Sequence, residues 1–145
     1  MAMTKRELAK VKFYDPDVGY ENIWAADLGG GRFRIENIPF FIYGLALDDI
    51  VLALPNSEEE LEFVSVIERS GNRTLRARSD DFVENQDFIK VVTEELERLG
   101  CTVEEHRSRL LAINVPSGLE LSKITDYLTG ARLRWEYAHP EDLNK

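Results

Sequence analysis

The sequence predicts a mixed α+β fold, with a small N-terminal antiparallel β-barrel followed by a ferredoxin-like βαββαβ unit. Three observations carry the prediction. Up to Ile67 the apolar residues come in short runs split by Gly, Pro and Asp, with no helical period. From Arg73 the period changes, and two helical stretches stand among four strand-like ones in the order β-α-β-β-α-β. Between these regions Ser70-Gly71-Asn72 punctuates the chain, so residues 1–70 are expected as the barrel and 71–145 as the second subdomain.

In the first region, Thr4 to Lys10 is expected as a helical turn or an unstructured arm. Val11 to Tyr14 reads as the first strand, closed by the turn chemistry of Asp15-Pro16-Asp17. Glu21 to Leu28 is the second, with Ile23 and Ala25 on one side and Trp24 and Ala26 on the other. Gly29-Gly30-Gly31 links it to Arg32 to Ile35 as a hairpin, because φ > 0 costs glycine nothing. The densest apolar stretch, Asn37 to Gly44, comes next. Pro39 cannot donate to a ladder, so the chain leaves the sheet there and carries Phe40, Phe41 and Tyr43 across it. Asp49 to Leu54 and Leu61 to Glu68 complete the set of strands, separated by an exposed loop with Glu58, Glu59 and Glu60.

Arg73 to Arg78 alternates as the strand that opens the second unit. Phe88, Ile89, Val92, Leu96 and Leu99 share one helical face, and Gly100 stands where a helix stop is needed. Cys101 to His106 and Leu110 to Val115 form a hairpin. Ser117 to Glu120 has the pattern of a capping box for a helix bearing Leu121, Ile124 and Leu128, which Gly130 ends. Leu133, Trp135 and Tyr137 line a last strand. With the helices on one face, the other face of this sheet is expected to gather Arg76, Arg78, Arg132 and Arg134 beside Ala112 and Asn114.

At 145 residues and 43% hydrophobic, the chain can bury a core without metal or disulfide, and its single Cys101 has no second thiol to pair with. No zinc-ligand spacing, other metal cluster or cofactor motif is present, so no cofactor is expected. The apolar run Ile38 to Leu47 is too short for a bilayer, and residues 1–11 lack an apolar signal core, so a cytoplasmic location without membrane contact is expected. The net charge is −9, with 14 acidic against 8 basic residues over 79–145. Such a charge is read first as serving solubility and second as a surface that repels phosphate backbones and draws in basic partners. A ferredoxin-like unit that reads RNA carries aromatics on its central strands, where this chain has Arg76, Arg78, Ala112 and Asn114, so no nucleic-acid partner is expected.

Nothing in the spacing supports catalysis. Ser70 sits in Ser-Gly-Asn rather than in a nucleophile elbow, and His106 borders a hairpin as exposed histidines do. Asp48-Asp49, Asp80-Asp81 and Glu104-Glu105 are read as solvated charge. The aromatics Trp24, Phe40, Phe41 and Tyr43 are read first as core and second as the wall of a ligand pocket. The arginines Arg76, Arg78 and Arg134 suit an anion, unless Glu36, Glu62 or Glu68 of the barrel pairs with them.

The stretches Glu21 to Ala25, Gly31 to Phe41, Asp49 to Val51 and Ser70 to Arg76, with Leu99-Gly100-Cys101 and Val115-Pro116, resemble the bacterial domain-of-unknown-function 4265 family over about Val11 to Tyr137. The resemblance implies a small bacterial intracellular protein and carries no established activity, cofactor or catalytic residue. It also groups Glu21, Trp24, Asn37, Pro39, Ser70, Gly71, Thr74 and Arg76 as one spatial cluster.

The leading expectation is a non-catalytic acidic module, concretely an immunity protein that neutralises a basic toxin domain through Glu58, Glu59, Glu60, Glu94, Glu97 and Glu104. The alternative is a small-molecule sensor that binds an anion or metabolite at Trp24, Asn37, Phe40, Ser70, Thr74, Arg76, Arg78 and Arg134.

Overall fold

A computed structural model describes residues 8–144. β1 (Leu8–Asp15), β2 (Gly19–Gly29), β3 (Arg32–Ile35), β4 (Ile50–Pro55) and β5 (Leu61–Glu68) run as an antiparallel meander. Parallel pairing of Val11 with Leu61 and of Lys12 with Glu62 closes it into a barrel, which removes both free edges. Alternation sends Val11, Phe13, Ile23, Ala25, Phe33, Ile35, Val51 and Ala53 inward as a buried cluster. Gly31 holds φ +81 at the β2–β3 turn, where a Cβ would lie 3.1 Å from Leu52 Cδ1. The expected turn or arm over Thr4 to Lys10 is corrected for Leu8 to Lys10, which begin β1, while residues 4–7 lie outside the described residues.

The second layer contains β6 (Arg73–Arg78), β7 (Thr102–His106), β8 (Leu110–Val115) and β9 (Arg134–His139), arranged β7-β8-β6-β9 with every pairing antiparallel. Helices α2 (Gln86–Arg98) and α3 (Leu121–Gly130) belong to its core, where Leu75, Ala77, Leu111, Ile113 and Val115 meet Ile89, Val92, Leu96, Ile124 and Leu128. The molecule is thus α+β, with a closed five-stranded barrel and a second, four-stranded sheet with helices.

One element is added to those expected, and two local expectations are corrected. The short helix α1 (Asp81–Glu84) precedes α2 and buries Phe82 completely; Asn85 is extended between the two helices, and its side chain accepts from the Phe88 amide. Ser117 caps nothing, because the Leu119 amide bonds to the Pro116 carbonyl in a turn that delays the helix, and Glu120 holds the cap position without a side-chain bond. Gly130 is the last residue of α3, as expected. Arg132, at φ +62, takes the left-handed position after α3, with Arg132 N–H on the Thr129 carbonyl and Leu133 N–H on the Leu128 carbonyl. Arg132 is therefore in the connection to β9 and not on the sheet face where the sequence pattern set it.

No helix among the described residues is long and apolar enough to cross a membrane. Cys101 is buried under α2, and burial pushes its thiol from an ordinary 9.0 up to about 11. Between those values the folded chain keeps a proton that the unfolded chain releases, so stability falls as pH rises through that window, by an amount on the order of 1 kcal/mol. We predict that the urea midpoint declines from pH 8.5 to about 10.5 and that Cys101→Ala flattens part of the decline. Burial also raises Tyr43 and Tyr127, which leave a residual slope of the same sign. An unchanged slope in the variant would contradict the burial argument.

Candidate functional site

The site is built around the connection between β3 and β4, residues 36–49. This segment has no regular structure, yet Ile38, Ile42, Leu45 and Ala46 are buried, and Ile42 and Leu45 belong to the barrel core. Buried backbone without a ladder needs partners for its amides and carbonyls, and here side chains of both layers supply them.

From the barrel, Glu21 on β2 accepts from the amides of Phe40 (2.8 Å), Phe41 (3.0 Å) and Ile42 (3.0 Å). Asp49 accepts from Ala46 N–H at 3.0 Å and Ser70 N–H at 2.8 Å and pairs with Arg69 at 3.2 Å. Asp49 is fully buried, which corrects its reading as solvated charge. From the sheet, Thr74 Oγ1 donates to the Leu45 carbonyl at 2.9 Å, and from the link between β5 and β6, Ser70 Oγ and Asn72 Nδ2 both donate to that of Leu47. Glu104 accepts from Asn37 Nδ2 at 3.0 Å and from the Ile38 amide, so it too is taken up in the seam. Gly44 N–H reaches the Ala138 carbonyl of β9 at 2.8 Å. Among the described residues one buried side-chain atom has no protein partner, Asn114 Oδ1.

Arg76 is the central clamp. Its side chain is 3% exposed, and its guanidinium donates to the Pro39 carbonyl at 3.2 Å and the Ile42 carbonyl at 2.7 Å. The cation also lies 4.6 Å from the Tyr43 ring centre and 3.5 Å from Glu136. Burial pulls the Arg76 pKa down, and the Glu136 charge offsets part of that cost. Tyr43 donates to Glu136 at 2.7 Å, and its own pKa is raised by burial first and by that bond second. Glu136 stands opposite Arg76 in the β6–β9 register and is the acid the sequence reading missed. Glu36, expected as an arginine partner from the barrel, pairs with Arg34 at 3.1 Å.

Beside this clamp lies an open cleft of about 420 Å³, lined by Val18, Phe40, Phe41, Tyr43, Arg76, Arg78, Leu110, Arg134, Trp135 and Glu136. Arg78 and Arg134 are register partners on β6 and β9. Arg78 makes no hydrogen bond or ion pair among the described residues; Arg134, 67% exposed at its side chain, meets Asp80 at 3.3 Å. Phe40 and Phe41 both pack on His106, at 4.9 and 5.0 Å.

Of the expected anion cluster, then, Phe40, Arg76, Arg78 and Arg134 meet at the cleft, whereas Asn37, Ser70 and Thr74 bind connector backbone or Glu104. Trp24 is outside the cleft lining, on the barrel surface. It is 44% exposed, with Lys10 5.1 Å from its ring, which corrects its reading as core. The acidic set is likewise divided: Glu58, Glu59 and Glu60 are on the β4–β5 turn, Glu94 and Glu97 on α2, and Glu104 is in the seam. Among the described residues, no group of three or more His, Cys, Asp or Glu is placed to hold a metal.

Arg76→Met should destabilise the protein by about 3–5 kcal/mol, because two buried carbonyls and Glu136 lose their donor. Arg76→Lys should restore little, lacking the fork. Glu21→Gln should cost about 1–3 kcal/mol, and the exposed Arg78→Gln about 0.5 or less. Urea unfolding of the variants checks this order; a mild Arg76→Met would refute the clamp.

A family model described as "Domain of unknown function (DUF4265)" matches residues 21–137. No curated protein matches the chain. A solved structure described as "Novel crystal structure of a hypothetical protein from Neisseria gonorrhoeae" is similar, with 22% identity, 94% of this chain and 96% of that one covered, and a TM-score of 0.69. At that identity the likeness speaks for the fold alone. The family match extends over both layers and the connector that joins them, and on it the chain belongs to the DUF4265 family.

Proposed function

We propose that this protein is a non-catalytic binding module for a small anionic ligand, which it holds in the cleft between the connector and the arginine face. One observation carries the reading: two guanidinium groups, Arg78 and Arg134, stand side by side at an open cleft while Arg76 beneath them is already occupied. Guanidinium forks bind carboxylate and phosphate bidentately, and the aromatic wall supplies apolar contact. In a chain of net charge −9 this local cation pair is set against the general surface field. The nucleophile candidate Ser70 is held by the Leu47 carbonyl, which favours binding over catalysis in the manner of a metabolite sensor.

A second reading, an acidic module that docks a basic protein such as a toxin domain, is favoured by the net charge and by the shallow groove where Glu94, Glu97 and Glu105 lie between α2 and β7. Both readings suit a cytoplasmic protein. The β7-β8-β6-β9 order, with one helical crossover from β6 to β7 and another from β8 to β9, supports describing the second layer as ferredoxin-like.

Titration with benzoate and with inorganic phosphate, followed by nitrogen–proton spectra, tests the first reading. Saturable shifts are expected at the Arg78 and Arg134 side-chain N–H, and they should vanish in an Arg78→Gln, Arg134→Gln double variant. Salt-sensitive capture of a basic protein without such shifts would move the conclusion to the second reading.

A further inference from the structure

We infer that the cleft takes a phosphate monoester borne on a flat ring, with the phosphate across Arg78 and Arg134 and the ring against Phe40 and Phe41; this rests on the anion-binding reading above. Charge balance selects the phosphate. Arg76 is offset within the cleft by Glu136 and its donors are engaged by the connector carbonyls. That leaves Arg78 and Arg134 directly opposite each other on neighbouring strands, where like charges repel. Among the described residues the one acid in contact with either of them is Asp80, which is 90% exposed at its side chain and touches Arg134 alone. A carboxylate brings one charge to this pair. A phosphate monoester brings about −1.5 to −2 at neutral pH and three acceptor oxygens, enough to engage both forks and cancel both charges.

The walls select the ring. Phe41 is 38% exposed and Phe40 half-buried, and both line the cleft with Tyr43. His106 packs against both phenylalanine rings, which fixes the surface they present. Flat rings stack on aromatic side chains with little demand on their identity, and about 420 Å³ holds a ring with its phosphate. A nucleoside monophosphate and a phosphotyrosine side chain share this chemistry.

Calorimetric titration of the full chain in phosphate-free buffer tests the assignment. Phenyl phosphate should bind at least about tenfold more tightly than phenyl sulfate, which has the same shape and one charge, and than inorganic phosphate. Arg78→Gln and Arg134→Gln should each weaken phenyl phosphate binding by about tenfold with an unchanged thermal midpoint, and Phe41→Ala should bring it down to the level of inorganic phosphate. Equal binding of phenyl sulfate and phenyl phosphate overturns the dianion assignment while leaving the anion-binding reading standing; no binding by any of these anions overturns both. Adenosine monophosphate or N-acetyl-phosphotyrosine amide binding more tightly than inorganic phosphate identifies the source, and neither doing so overturns the ring assignment.

Discussion

A buried stretch of backbone with no ladder of its own sets the terms for the rest of this molecule. Residues 37–48 pass between the barrel and the sheet, and each buried peptide group left unpaired there would cost on the order of 1–3 kcal/mol. The chain meets that demand with charged and polar side chains: Glu21, Glu104 and Asp49 on the amides, and Arg76, Arg69, Thr74, Ser70 and Asn72 on the carbonyls. These side chains come from both layers, so the connector is where the two halves are held together. The apolar residues Ile42 and Leu45, which complete the barrel core, are positioned by the same bonds.

This constraint also sorts the arginines. Arg76 is consumed by structure: it is buried, hydrogen-bonded to two carbonyls, and balanced by Glu136. Arg78, two residues along the same strand face, clears the connector and meets Arg134 across the β6–β9 register. The fold thus turns a row of similar residues into a fixed base and an open pair, with Phe40 and Phe41 as one wall of the cleft they share. Glu104 is sorted in the opposite sense, from an expected docking acid to an internal acceptor.

Much of the architecture was legible because it depends on local periodicity. The bounds of β6 follow from alternation and those of β5 from an apolar, β-branched run between polar punctuation, and α2 follows from its apolar face and the Gly100 stop, where φ is +106 and a Cβ would lie 2.9 Å from Leu119 Cδ1. What was not legible depends on register or on distant partners. Gly130 does end α3, but the left-handed position falls two residues later, at Arg132, which its alternation with Arg134 had set on the sheet, and Glu136 went unnoticed. Glu21 entered the expected cluster through the resemblance alone; it is a single acid in an alternating strand, and its partners lie 19 to 21 residues away, so its role as an amide acceptor had no local signal. Asp49 follows an exposed Asp48, and only the fold separates a buried acceptor from a solvated neighbour. Of the candidate site, the arginines and Phe40 were named from residue type; that two of them face the open cleft and one is spent on the connector required the connector in place.

Amide hydrogen exchange along the connector tests this account most directly. If Glu21 and Arg76 bind this segment into one cooperative unit with both layers, the amides of Phe40, Ile42 and Gly44 will open with the same free energy as those of the central strands β6 and β8. Exchange of these amides at the rate of an exposed loop, while β6 and β8 stay protected, would contradict it.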